Sequence, residues 1–154
     1  MDKFNCSVSE ISEFVDELIE ENAVLPFYVT GSSMNPFLIS RRDIVYLKKP
    51  RKGELTKGRI VLFRRKDGSP VLHRIRKILP DSTFEMLGDA QSQSEKIDEL
   101  QIIAAVTEIE RKGKRRSTDS AYWKSVDAIW RVLTPFRPII MRIWFKIRLI
   151  KRKK

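Results

Sequence analysis

Six short strand-like segments, separated by turn residues, occupy most of residues 24–110 and constrain the fold more than any other feature. Each is rich in Val, Ile, Leu, Phe or Tyr, and Gly, Pro, Asp or Ser interrupts the chain between them. Short strands at this density predict a compact antiparallel β domain, built as a small barrel or a coiled sheet. The predicted strands are 24–30, 43–48, 59–65, 70–78, 83–88 and 101–110.

The sharpest turn signal is the KDGS segment at 66–69, between the third and fourth predicted strands. An Asp-Gly pair at this place is typical of a tight hairpin. Along the returning strand, Val71, His73 and Ile75 alternate onto one face. We therefore expect His73, the only histidine, to point inward or into a cleft, where an imidazole needs a polar partner.

Helices are predicted at both ends of the chain. Residues 7–21 repeat apolar side chains at helical spacing, and Ser7 with Glu10 fits a capping box. Residues 121–134 show the same spacing up to Pro135, which ends the helix. The predicted organisation is an N-terminal helix at 1–23, a β domain at 24–110, a basic linker at 111–120 and a cationic amphipathic helical tail at 121–154.

The net charge of +11 is concentrated in the C-terminal part of the chain. Residues 111–154 hold 15 Lys or Arg and two Asp, whereas residues 1–110 hold 16 Lys or Arg and 18 Asp or Glu. The predicted β domain is therefore not a basic nucleic-acid platform. Many bulky apolar residues make the tail a poor nucleic-acid arm, so we expect no nucleic-acid partner.

The tail combines tryptophans with basic residues, as helices that lie on anionic membranes do. Its segment 139–150 is too short and too charged to span a bilayer. Two arrangements are open: peripheral binding to an anionic membrane surface, or packing of 121–134 on the β domain with a solvated KRKK end. The side chains predicted to contact the membrane are Trp123, Trp130, Arg142, Trp144 and Lys146.

Cys6 is the only cysteine, which excludes a disulfide framework and a cysteine-rich metal site and allows a reducing compartment. The first residues are polar and acidic, unlike a secretory signal. We expect no membrane span at the N-terminus, no metal and no cofactor. The expected location is the cytoplasm or the cytoplasmic side of a membrane, held peripherally.

The TGSSMNP segment at 30–36 places two serines in a polar turn after the first predicted strand. A serine hydroxyl becomes a nucleophile only when a base takes its proton, and His73 is the only histidine available. Taken singly, the segment indicates a turn and His73 a structural residue. Together they form a candidate nucleophile and base.

With three further motifs, these residues resemble the type I signal peptidase family and its LexA-like relatives, which are serine peptidases on a β-rich fold. The resemblance covers about residues 24–110, and the histidine strand is similar to that of the endoplasmic-reticulum and archaeal branch. The matching segments are Ser33-Met34-Asn35-Pro36, Arg42-Asp43-Ile44-Val45, Gly58-Arg59-Ile60-Val61-Leu62-Phe63, Val71-Leu72-His73-Arg74-Ile75 and Leu87-Gly88-Asp89.

The resemblance implies that Ser33 is the nucleophile, His73 the general base and Asp89 the acid that assists the histidine. It also implies that the backbone N–H of Ser33 donates to the oxyanion. The expected reaction is hydrolysis of a peptide bond after small residues in a signal- or leader-type peptide or protein substrate, with no cofactor.

Each role in this site has more than one candidate. Glu95 and Asp98 compete with Asp89 for the role of the acid. Lys77 is a second candidate base, as in the lysine branch of the family, and Ser32 is a second candidate nucleophile.

Three residues depart from the family pattern. Gly31 stands where many signal peptidases have a serine that donates to the oxyanion, Arg42 replaces a usual glycine and Arg59 a usual aspartate. Because of these departures, a second interpretation stays open: the chain is a non-catalytic or regulatory relative that binds a peptide or a membrane. A self-cleaving DNA-binding regulator is disfavoured, because the N-terminal part holds one predicted helix and the chain contains no Ala-Gly pair.

Overall fold

The computed structural model describes Asp16 and residues 23–152, with side chains up to Ile150. The helix predicted at 7–21 lies outside the described residues except for Asp16, which is helical and pairs with Arg64. The described chain is mainly an antiparallel β sheet with two helices at its C-terminal end. This confirms the predicted class of a mainly β fold with flanking helices.

The sheet has eight strands, which are β1 (Leu25–Tyr28), β2 (Asp43–Lys48), β3 (Ile60–Arg64), β4 (Pro70–Ile78), β5 (Phe84–Leu87), β6 (Glu95–Ile97), β7 (Ile102–Arg111) and β8 (Lys114–Ser117). Their order across the sheet is β1-β2-β7-β3-β4-β5-β6, and β8 pairs with the end of β7. Within the described residues β1 pairs only with β2, and β6 only with β5, so the sheet stays open and does not close into a barrel.

All six predicted strands form, with small differences at their ends. Sequence patterns missed β6, which is short, and β8, which lies inside the segment predicted to be a linker at 111–120. The basic run forms a strand because β7 places carboxylates beside it: Arg115 bonds Glu108 and stacks on Tyr46. A turn at Lys112 and Gly113, both with positive φ, reverses the chain.

The sheet is buried on both faces at strand β3. The apolar run Ile60–Phe63 of β3 alternates between two cores. One core lies under β5 and β6, and the larger one extends to the C-terminal helices. A strand covered on both faces has no polar alternation, which explains why this segment is continuously apolar.

Two helices form the tail. Helix α1 (Ala121–Val132) begins at Ser120, whose hydroxyl accepts a hydrogen bond from the N–H of Trp123 at 3.4 Å. A 3₁₀ turn, Thr134–Phe136, joins α1 to helix α2 (Arg137–Arg152). Helix α1 packs on the sheet, whereas most side chains of α2 after Met141 are exposed.

The prediction that Trp123 and Trp130 contact a membrane is wrong. Their side chains are only 3% and 7% exposed and belong to the larger core, packed with apolar residues of the sheet. Trp123 also stacks against Phe37, with ring centroids 5.2 Å apart. The apolar face of α1 is used to cover the sheet, so this helix belongs to the β domain.

Candidate functional site

Ser33 lies in a tight turn that follows β1. The N–H of Asn35 donates to the carbonyl of Ser32 at 3.1 Å, which closes the turn around Ser33. Met34 is buried in the larger core and fixes the turn from below, while Ser32 is exposed. The turn therefore holds Ser33, which is half-buried, at the boundary between the core and solvent.

His73 lies on β4, opposite Val61 of β3, and is 1% exposed. This confirms the inward orientation expected from the alternation along the strand. The predicted hairpin forms as well: Arg65 and Ser69 are hydrogen-bonded at 2.9 Å across the turn. The ring of Phe63 packs beside the imidazole, with the two ring centroids 5.9 Å apart.

Ser33 and His73 line the same cavity, of about 230 Å³. Its lining combines apolar side chains such as Phe27 and Leu62 with polar ones, among them Arg65 and Gln91. The cavity thus brings together the predicted nucleophile and base. The predicted acid Asp89 does not line it, nor do the competing candidates Ser32, Lys77, Glu95 and Asp98.

Glu95, and not Asp89, is the acid beside the imidazole. Its Oε1 lies 3.2 Å from Nδ1 of His73, within ion-pair distance, although the angle is not that of a well-formed hydrogen bond. Arg65 holds the same carboxylate with two hydrogen bonds of 2.7 Å. The prediction that Asp89 lies beside His73 is therefore corrected: Glu95, a competing candidate in the sequence, occupies that position.

Burial lowers the pKa of His73 below its ordinary value of 6.5, because a buried imidazolium loses its hydration. The negative charge of Glu95 raises the pKa and offsets part of this effect. Hydrogen bonds from Arg65 in turn lower the pKa of Glu95, so this carboxyl group is charged at neutral pH. At neutral pH the site therefore holds a neutral imidazole beside a carboxylate, the state that a general base requires.

The Gly-Asp motif holds the turn of Ser33 in place. The N–H of Ala90 donates to the carbonyl of Ser33 at 2.8 Å. A Cβ on Gly88 would lie 2.8 Å from the same oxygen, closer than side-chain carbons approach a backbone atom. Glycine is required at 88 because the loop after β5 must come this near to Ser33.

Asp89 is fully buried and pairs with cations instead of His73. Arg74 donates to both of its oxygens, at 3.1 and 2.9 Å, and Arg137 lies 3.7 Å away. Arg74 also donates to the carbonyl of Gly58 at 2.8 Å and pairs with Asp127 of α1. This cluster joins the loop that supports Ser33 to helix α1.

Arg42 and Arg59, two of the three residues that differ from the signal peptidase pattern, make structural contacts. Arg42 donates to both oxygens of the buried Asp43 at 2.7 and 2.8 Å. Arg59 donates to the hydroxyl of Thr118 at 3.1 Å and so ties the start of the tail to β3. Gly31 is exposed beside the turn and supplies no side-chain donor.

Lys77 and Asp98, the competing base and acid, lie away from the cavity of Ser33. Lys77 is exposed on β4 and lines a different cleft. Asp98 is exposed and starts a 3₁₀ turn at Glu99–Gln101. In the described part of the chain, no three His, Cys, Asp or Glu side chains come together as a metal site requires.

The chain matches no known family profile and no curated protein sequence.

Proposed function

We propose that the protein is a serine endopeptidase that resembles signal peptidase I of the Ser-His branch. The observation that carries this proposal is the shared cavity of Ser33 and His73, with the carboxylate of Glu95 beside Nδ1 of the imidazole. Nδ1 faces Glu95, which leaves Nε2 for the hydroxyl of Ser33. The substrate class is a signal- or leader-type peptide.

The proposed reaction has two stages. Oγ of Ser33 attacks the scissile carbonyl while Nε2 of His73 takes its proton, and the N–H of Ser33 donates to the oxyanion. The imidazolium then protonates the leaving amine, which leaves an acyl ester on Ser33. His73 next takes a proton from water as the water oxygen attacks the ester carbonyl. When the bond to Oγ breaks, the imidazolium returns the proton to Oγ, which releases the acid and restores Ser33. Glu95 stabilises the imidazolium in both stages.

Two free strand edges beside the cavity suit an extended substrate. Within the described residues β1 pairs only with β2, and residues 70–73 of β4 pair only with β3. A peptide that adds to such an edge gains backbone hydrogen bonds and presents alternate side chains to the cavity. A volume of about 230 Å³ shared with the reacting groups favours small residues before the cut.

The test of this proposal is digestion of a diverse peptide library, read by mass spectrometry, with His73→Gln as the matched inactive variant. We expect cuts made by the wild type alone, and small residues before each cut. Equal products from the two proteins contradict the proposal. Peptides that are retained but not cut identify a peptide-binding relative of this fold instead.

The pH dependence of kcat/KM for a cleaved peptide is expected to follow the ionisation of the His73 imidazole. His73 can accept the serine proton only when its imidazole is neutral. The rate therefore rises as pH increases through the pKa of His73, which burial places below 6.5. Glu95→Gln removes a charge that raises this pKa, so the rise moves to lower pH and the plateau rate falls. An acidic limb that is unchanged in Glu95→Gln contradicts the assignment of Glu95.

We also propose that α2 docks on an anionic membrane surface. Ile139, Ile143, Ile147 and Ile150 are all half or more exposed at helical spacing, and the exposed Arg142 and Lys146 flank this stripe. Each buried isoleucine contributes about 1.5–3 kcal/mol and each nearby cation about 1 kcal/mol. In the part of the chain that the structure describes, no helix is both long and apolar enough to cross a bilayer.

Vesicle flotation tests this docking. Wild-type protein is expected to float with phosphatidylglycerol vesicles, and the Ile143→Glu, Ile147→Glu double variant to stay at the bottom. The Ile78→Glu, Leu100→Glu double variant is the matched control, because both residues are exposed apolar side chains away from the helix. Wild-type protein that fails to float at moderate salt contradicts the docking proposal.

A further inference from the structure

A basic cleft lies between the sheet and the C-terminal helices, separate from the cavity of Ser33 and His73. It has a volume of about 750 Å³ and is lined by β4, β5, α1 and the beginning of α2. Six cationic side chains and one carboxylate, that of Glu85, line it. The cations are Lys57, Arg74, Arg76, Lys77, Arg131 and Arg137.

The protein neutralises only part of this charge. Asp89 and Asp127 pair with Arg74, Asp127 also pairs with Arg131, and Glu85 pairs with Arg76. Lys57 and Lys77 are exposed and have no ion pair within the described residues. With these three carboxylates counted, the six cations of the cleft still exceed the acids by three.

Arg137 is the most informative of the cations. It is 7% exposed, and its Nε and Nη1 have no hydrogen-bond acceptor within the described residues. Its Nη2 lies 3.7 Å from Asp89, and its guanidinium lies 5.3 Å from the ring centroid of Trp130. Buried donors without acceptors are costly, so this side chain is built to receive an anion.

We propose that this cleft binds a phosphate group. A guanidinium presents paired N–H donors that match the oxygens of phosphate, and the excess of three positive charges suits a group that carries up to two negative charges. Arg137 holds the phosphate at the buried end, and Lys57 and Lys77 approach it from the open side. The group belongs either to a lipid headgroup or to a free phosphate compound.

The position of Arg137 connects the cleft with the exposed helix. Arg137 is the first residue of α2, and the isoleucine stripe begins two residues later at Ile139. A phosphate bound at Arg137 therefore lies at the point where α2 leaves the domain. This site does not depend on peptidase activity, because Ser33 and His73 do not line it.

Thermal unfolding with inorganic phosphate tests the site directly. We expect phosphate to raise the Tm of the wild type, since a ligand that binds only the folded state stabilises it. The Lys57→Gln, Lys77→Gln double variant should bind at least about tenfold more weakly, because two charge-assisted contacts are lost. The Lys52→Gln, Lys66→Gln double variant removes the same charge at exposed sites outside the cleft and should bind like the wild type.

Vesicles separate the two sources of phosphate. Binding to phosphatidic acid vesicles but not to phosphatidylcholine vesicles, lost in the cleft variant and kept in the control, indicates a lipid headgroup. A Tm response to inorganic phosphate without vesicle binding indicates a free phosphate compound. Equal responses of both double variants, or no response of the wild type to phosphate or vesicles, overturn the proposal. Ser33→Ala should bind normally, which separates this site from the peptidase.

Discussion

Replacing Ser33 with alanine should abolish peptide cleavage, and replacing Ser32 should not. Ser33 lines the cavity of His73, whereas Ser32 is exposed outside it. Loss of a serine nucleophile typically lowers kcat by about 10³-fold or more, because no other group can form the acyl ester. The measurement is kcat/KM for one library-derived peptide with wild type, Ser33→Ala and Ser32→Ala.

The two serine variants are well matched because the residues are neighbours in one turn and the same hydroxyl is removed. Neither substitution empties the core, since Met34 supplies the buried side chain of the turn. We therefore expect both variants to unfold at nearly the wild-type temperature. Full activity in Ser33→Ala, or equal loss in both variants, contradicts the assignment of the nucleophile.

The fold could be predicted largely because its signals are local. The Asp-Gly pair at 67 and 68 predicts the position of the hairpin, and the alternation along its second strand predicts that His73 points inward. Strand β8 was missed because a run of cations predicts a linker until its partner is known. The carboxylate of Glu108, which makes that strand favourable, comes from a neighbouring strand and not from the run itself.

The assisting acid could not be chosen from the sequence, because it depends on which strands pair and in which register. Glu95 reaches His73 since β6 pairs with β5 so that Glu95 lies opposite Met86. Asp89 follows Gly88 in the Gly-Asp motif, but its carboxylate pairs with Arg74. Alternation along β4 placed Arg74 on the face opposite His73 and gave no sign that it would be buried there.

The tail shows the same limit. An amphipathic pattern reports an apolar face and says nothing about what covers it. In α1 that face, with Trp123 and Trp130, covers the sheet. In α2 the exposed isoleucines leave an apolar surface in solvent, and only this second helix keeps the features expected of a membrane-binding segment.

Replacing Arg74 with methionine should be the most destabilising single change at the site. Methionine fills a similar volume but removes the closest cation from the fully buried Asp89 and the partly buried Asp127. Removing one partner of a buried ion pair typically lowers the free energy of unfolding by about 3–5 kcal/mol. Urea unfolding measures this loss, and Arg76→Met is the matched control, because Arg76 is half-exposed and its pair with Glu85 contributes about 0.5 kcal/mol.

The Arg74→Met variant also tests whether helix α1 supports catalysis. Arg74 connects Asp127 of α1 to Asp89, and the loop of Asp89 carries the N–H that bonds the carbonyl of Ser33. Peptide cleavage should therefore fall even at low temperature, where the variant is still folded. Adding Asp89→Asn and Asp127→Asn should restore part of the stability, since the two carboxylates that lost the Arg74 cation are then neutral. If Arg74→Met unfolds at the same urea concentration as Arg76→Met, the cluster does not hold the helix on the sheet, and the link from α1 to Ser33 fails with it.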